Sequence, residues 1–138
     1  YNNLNVLTNG LYTALELMKI DSVNVHLLGG NLNKILLDTK GTDTMSQIGM
    51  HHSDIAFISC RGITARGSFD PNDDETAVKR AFAENSTKVV LFADSSKFNK
   101  TFLNVSLGYD VIDAIISDAP FPEDIQEVCR NKNVEMLW

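Results

Sequence analysis

The stretch Lys88-Val89-Val90-Leu91-Phe92-Ala93-Asp94-Ser95-Ser96-Lys97-Phe98 decides the fold. Its five consecutive apolar residues, Val89 to Ala93, are too few for a helix and rich in β-branched and aromatic types, so they predict a strand buried on both faces in the centre of a sheet. The run ends abruptly in Asp94-Ser95-Ser96-Lys97, which puts a carboxylate, two hydroxyls and an ammonium within four residues. In open parallel sheets ligands sit outside the carboxyl ends of the strands, where loops converge. The functional chemistry is expected there.

Outward from this strand, apolar runs and helical periods alternate. Asn5 to Asn9 predicts a strand, and Leu11, Ala14, Leu15 and Met18 at helical spacing predict a helix after it. Val23 to Leu28 predicts a second strand, closed by Gly29-Gly30, where the backbone can turn sharply or approach a ligand. Ile35-Leu36-Leu37 suggests a further short strand. Thr42-Asp43-Thr44 before Met45, Ile48 and Met50 suggests a capped helix. Ile55 to Ile58 is a second buried strand, running into Ser59-Cys60-Arg61-Gly62, and Gly62 to Pro71 predicts a loop or hairpin.

Asn72 and Glu75 predict a capped helix whose Ala77, Val78, Ala81 and Phe82 form the buried stripe and whose Lys79 pairs with Glu75 at i, i+4. Thr101 to Leu107 suggests an edge strand, and Val111 to Ile116 a buried strand closed by Ser117-Asp118. Pro122 opens a last helix to about Asn131, and Val134 to Leu137 is the final strand. Strands separated by helices give an α/β, Rossmann-like fold: a mostly parallel sheet with helices on both faces. Five polar clusters, Thr8-Asn9, Gly29-Gly30, Ser59 to Gly62, Asp94 to Lys97 and Ser117-Asp118, all close strands at their carboxyl ends.

Composition narrows the function. The 138 residues make one domain, 43% hydrophobic, with no run approaching the roughly 18 to 20 apolar residues of a membrane span. Tyr1-Asn2-Asn3-Leu4 carries no secretion signal, and Cys60 and Cys129 suit a reduced cytoplasmic protein rather than a disulfide scaffold. Twelve Lys and Arg against eighteen Asp and Glu give a net charge of −6, and the cations are scattered, so these residues alone are not expected to bind DNA. His51 and His52 diverge on a helix and His26 lies within a strand, so neither a metal site nor a Cys-His or Ser-His-Asp nucleophile is indicated. Dinucleotide and phosphate-loop glycine motifs are absent, and no cofactor is expected. Hydroxyls, an amide, glycine N–H groups and a lysine are donors suited to an oxygen-rich anion such as a phosphorylated sugar, with Asp94 and Asp118 as acceptors for its hydroxyls.

Thr8-Asn9-Gly10-Leu11, Leu28-Gly29-Gly30, Phe57 to Ile63, Gly67, Glu75-Thr76-Ala77-Val78-Lys79-Arg80, Leu91 to Phe98 and Ile115 to Asp118 together resemble the effector-binding domain of DeoR-family bacterial transcriptional regulators. The resemblance spans essentially the whole chain; Ala93 to Phe98 and the Glu-x-x-Val-Lys-Arg helix are its most specific parts. It implies a fold similar to ribose-5-phosphate isomerase and the coenzyme A transferases. It also implies a sugar-phosphate effector and a homo-oligomeric repressor of sugar metabolism whose helix-turn-helix domain precedes this one.

Family members carry, ahead of the position of Tyr1, that DNA-binding region and a strand ending in an Asp-x-Gly-Thr-Thr phosphate loop; neither occurs in this sequence, which is therefore expected to be a truncated sensor domain over residues 1–138. Where the family usually shows an Asp, this chain has Arg61, which argues against catalysis. On this reading Lys97 pairs with the phosphate and Asp94 accepts from sugar hydroxyls. Thr8, Asn9, Gly29, Gly30 and Gly62 donate or leave room, and Glu75 positions Lys79 or meets the ligand. The rival expectation is an isomerase or acyl transferase on the same scaffold, which needs Asp94 or Glu75 as acid or base.

Overall fold

A computed structural model describes residues 3–138, and the chain divides into two units, Tyr1–His51 and His52–Trp138. The first unit contains β1 (Leu4–Thr8), α1 (Leu11–Leu17), β2 (Val23–Leu27), β3 (Asn31–Asn33), β4 (Asp38–Lys40) and α2 (Thr42–Gly49). β1 and β2 pair in parallel, Thr8 opposite Leu27, and β3 and β4 form an antiparallel hairpin. In α1 the covered side is Leu11, Ala14 and Leu17, with Ala14 fully buried, while Leu15 and Met18 face outward. The stripe expected through Leu15 and Met18 is thus rotated by part of a turn, because the i, i+3, i+6 series packs instead.

Ile35 to Leu37 is not a strand but the turn of the β3–β4 hairpin. Asn33 causes this: its Oδ1 accepts from the N–H groups of Ile35 (3.0 Å) and Leu36 (3.2 Å), offering the backbone a local alternative to a ladder. Leu37 then takes a left-handed φ of 52°. At the start of α2 the capping position is Gly41, without a side-chain cap; Thr44 instead turns inward.

The second unit contains β5 (Ser53–Ser59), β6 (Gly62–Thr64), β7 (Gly67–Asp70), α3 (Asp73–Glu84), β8 (Ser86–Phe92), β9 (Asn104–Leu107), β10 (Ala114–Ile116), α4 (Glu123–Lys132) and β11 (Glu135–Leu137). Its parallel sheet has the order β11-β10-β8-β5, so the strand that opened the sequence reading is an interior one. A second sheet, antiparallel in the order β6-β7-β9, places the expected edge strand at an edge. Leu91 of β8 lies opposite Ile115 on one side and Ile58 on the other, and all three join Ile125 and Cys129 of α4 in one core to which Phe82 and Ala83 of α3 pack.

Only one face of β8 is fully covered. Val89, Leu91 and Ala93 are buried, whereas Phe92 on the other face is 43% exposed and stacks on Phe57, ring centroids 5.7 Å apart. The sequence did not distinguish the faces because both are apolar.

Helix α3 starts at Asn72 with Asp73, Asp74 and Glu75 in its first turn, where carboxylates oppose the helix dipole. α4 follows Pro122 and ends on Asn133 in the left-handed conformation, a common terminator. Among the described residues no helix is long and apolar enough to cross a membrane.

Candidate functional site

Because β5, β8 and β10 are parallel neighbours, the segments that leave their carboxyl ends emerge along one edge of the second unit's sheet. Asp94 leaves β8 and caps a single 3-10 turn, Ser95–Lys97. Its Oδ1 accepts from the Ser96 N–H at 2.9 Å and from the Ser96 hydroxyl. Asp118, after β10, reaches across: its Oδ1 accepts from the Ser95 N–H at 2.7 Å and from the Ser117 hydroxyl at 3.3 Å, and its Oδ2 from the Ser95 hydroxyl at 3.4 Å. Both carboxyls are held below their ordinary range, Asp94 first by the Ser96 hydroxyl and Asp118 first by the Ser95 N–H. These two carboxylates therefore fold the 94–97 loop on itself as well as being available as acceptors at its surface.

Lys97 ends the turn half-buried, and among the described residues its ammonium makes no hydrogen bond or ion pair. The chain then crosses the β5–β6 connection. Phe98 bridges Ile63 in parallel, the Asn99 N–H donates to the Ile63 carbonyl at 2.9 Å, and Asn99 turns through a left-handed φ of 58°. At this crossing a side chain on Gly62 would overlap the Lys100 carbonyl. Gly62 is thus required for the backbone approach that brings the Lys97 loop beside Arg61.

Glu75 comes from the first turn of α3, with its side chain 11% exposed. Its Oε2 accepts from the Asn72 amide at 2.9 Å, and its Oε1 lies 3.9 Å from the Arg61 guanidinium. The expected pairing of Glu75 with Lys79 does not form. Lys79 instead reaches Asp70 on β7, Nζ to Oδ1 2.5 Å, and the other Asp70 oxygen accepts from the Ser106 hydroxyl of β9. Asp70 is fully buried, so its unpaired charge would cost far more than an exposed i, i+4 pair contributes. Arg80 likewise donates to the carbonyls of Val105 and Ser106.

Cys60, next to Arg61, is buried, and its thiol is pushed up to about 12 by desolvation, with Asp70 adding to the shift and Lys79 and Lys97 opposing it. Such a thiol is not a nucleophile at neutral pH.

Thr8, Asn9, Gly29 and Gly30 belong to the first unit, where parallel β1 and β2 bring them to one edge. Each has a local task. The Thr8 hydroxyl accepts from the Gly10 N–H at 3.1 Å, and the Asn9 amide donates to the Thr39 carbonyl at 2.9 Å. The Gly29 N–H donates to Gln47 Oε1 at 3.0 Å, its carbonyl accepts from the Thr44 hydroxyl at 2.6 Å, and Gly30, at φ 139°, leaves room for that hydroxyl. The eight expected residues therefore form two sets, Thr8, Asn9, Gly29 and Gly30 in one unit and Gly62, Glu75, Asp94 and Lys97 in the other. Asp70 and Ser106 were not foreseen as partners, since nothing local in sequence marks a contact made through tertiary structure; Asn72 and Glu75, expected together in the helix cap, meet side chain to side chain.

A family model described as the DeoR C terminal sensor domain matches residues 1–119. The chain is 31% identical over 138 residues to the glycerol-3-phosphate regulon repressor of Escherichia coli strain K12, covering 99% of this chain and 54% of that protein. It is 30% identical over 132 residues to a putative aga operon transcriptional repressor of Escherichia coli O157:H7, with coverages of 95% and 49%. The transcriptional regulator GolR of Listeria innocua is 32% identical over 119 residues, with coverages of 86% and 47%. The chain spans about half the length of these relatives.

Proposed function

Since the chain belongs to the DeoR C-terminal sensor domain family, we propose that it senses a phosphorylated sugar or polyol, bound at the carboxyl ends of β5 and β8. The observation that supports this reading is Lys97: a half-buried residue whose ammonium makes no hydrogen bond among the described residues, on a loop ordered by Asp94 and Asp118. An ammonium that donates no hydrogen bond within the protein has its donors left for an anion, and a charge-assisted hydrogen bond uses them. Asp94 accepts from ligand hydroxyls with the lone pairs not directed at Ser96, Glu75 does the same from α3, and Gly62 keeps the crossing open. A regulon repressor for a polyol phosphate is among the relatives.

In the full repressor, ligand binding shifts a homo-oligomer between DNA-competent and incompetent arrangements, and DNA is contacted through a helix-turn-helix region outside these residues. The net charge of −6 suits that division of labour. An isomerase or transferase would need Asp94 or Glu75 poised near neutrality, and the Asp94 carboxyl is moved the opposite way. The named relatives are transcriptional regulators.

Isothermal calorimetry against phosphorylated sugars and polyols tests the proposal. Lys97→Ala should weaken binding of any hit by about ten- to a hundredfold, or about 1.5–3 kcal/mol. Equal affinity in wild type and variant removes Lys97 from the site.

A further inference from the structure

The basic side chains around this edge differ in how firmly they are held. Lys79 is fixed on buried Asp70 at 2.5 Å, and Arg80 on two backbone carbonyls of β9. Arg61 is held loosely: its side chain is 45% exposed, its guanidinium stands 3.9 Å from Glu75 Oε1, and it donates no side-chain hydrogen bond among the described residues. A settled Arg–carboxylate pair closes to about 2.7–2.9 Å, commonly through two parallel hydrogen bonds. Glu75, for its part, is mostly covered, with Oε2 accepting from Asn72, and among the described residues Oε1 accepts no hydrogen bond, its ion-pair partner Arg61 standing 3.9 Å away. That oxygen is not sealed off, so it can accept from a group that arrives from solvent.

The Arg61–Glu75 gap is too wide for a direct hydrogen bond. A group that enters it must donate to Glu75 and present negative charge to Arg61. A hydroxyl carried on the same small molecule as a phosphate does both; a bare phosphate, or an ester without hydroxyls, faces Glu75 with like charge or with nothing to donate. We propose that Arg61 and Glu75 set the specificity of the ligand site, Glu75 Oε1 accepting from a ligand hydroxyl while Arg61 leaves Glu75 for the anionic group. The inference rests on the ligand-sensing reading above and adds to it the pair that discriminates among phosphates.

The test uses the 138-residue chain, with calorimetry and thermal shift on four probes. Glycerol 3-phosphate and glucose 6-phosphate carry hydroxyls; propyl phosphate and inorganic phosphate do not serve as hydroxyl donors on a carbon chain. Wild type is expected to bind at least one hydroxylated ester tenfold or more tightly than propyl phosphate. Glu75→Gln should bring that preference below about threefold while propyl phosphate affinity holds or rises. Arg61→Ala, at an exposed position, should weaken every ester fivefold or more and leave the preference in place. A preference retained in Glu75→Gln, or affinities unmoved in Arg61→Ala, overturns the specificity assignment while the sensing reading stands. Failure of all four probes to bind wild type overturns both. If Glu75→Gln lowers the ligand-free melting temperature too far to be assayed, the Arg61→Ala result alone decides.

Discussion

The Lys79 ammonium lies 2.5 Å from Oδ1 of Asp70, nine residues earlier, and so ties α3 to the antiparallel sheet through a carboxylate that no solvent reaches. Removing one member strands the other. Lys79→Met should destabilise the second unit by about 3–5 kcal/mol, the usual cost of breaking a buried pair from one side. Replacing both charges, Asp70→Asn with Lys79→Met, should recover most of that loss. Urea unfolding of the two variants checks the difference, and equal stabilities would show that the pair is not coupled.

Gly62→Ala should cost about 1–3 kcal/mol through overpacking, because the added methyl meets the backbone carbonyl of Lys100 rather than a side chain that can move. The same substitution should displace the Lys97 loop. A thermal melt and a ligand titration together report it; an unchanged melting temperature would mean the crossing is looser than described.

The carboxyls of Asp94 and Asp118 are both held below 3.8 by hydrogen bonds they accept. A depressed carboxyl supports the fold fully above its unfolded value and ceases to as pH falls through its folded value. The Ser95 and Ser96 amide resonances should therefore stay native down to about pH 3.8 and shift only below it. An NMR titration with midpoints at or above that pH would contradict the assigned bonds.

Cys60 and Cys129 are shifted the other way, from 9.0 to about 12 and about 11, chiefly by burial. The unfolded chain then loses thiol protons before the folded chain does, so stability should decline as pH rises from 9 toward 11 and 12. At pH 8 the native protein should resist iodoacetamide, and adding denaturant should expose both thiols. Rapid alkylation of the folded protein would refute the buried placement.

Much of this architecture was legible in single residues. The run Val89 to Ala93 marked the interior strand, and the polar residues after Ser59, Ala93 and Ile116 marked the edge where the candidate site lies, because backbone period and burial act locally. Local rules failed where a second partner competed, near in sequence or far. Lys79 chose Asp70 over Glu75, the Asn72 side chain chose Glu75 over a backbone N–H, and Asn33 bent Ile35 to Leu37 into a turn despite three apolar residues in a row. The packing role of Gly62 was invisible because its neighbour, Lys100, is thirty-eight positions away.

The seating of Phe98 and Asn99 on Ile63 has an evolutionary corollary. Two loops that rest on each other cannot change length separately, so an insertion anywhere in residues 94–97 would shear the crossing and displace Lys97. Relatives that adapt to new metabolites should therefore vary side-chain identity at this spot while conserving residue count, and engineered variants gain more from substitutions here than from grafted loops.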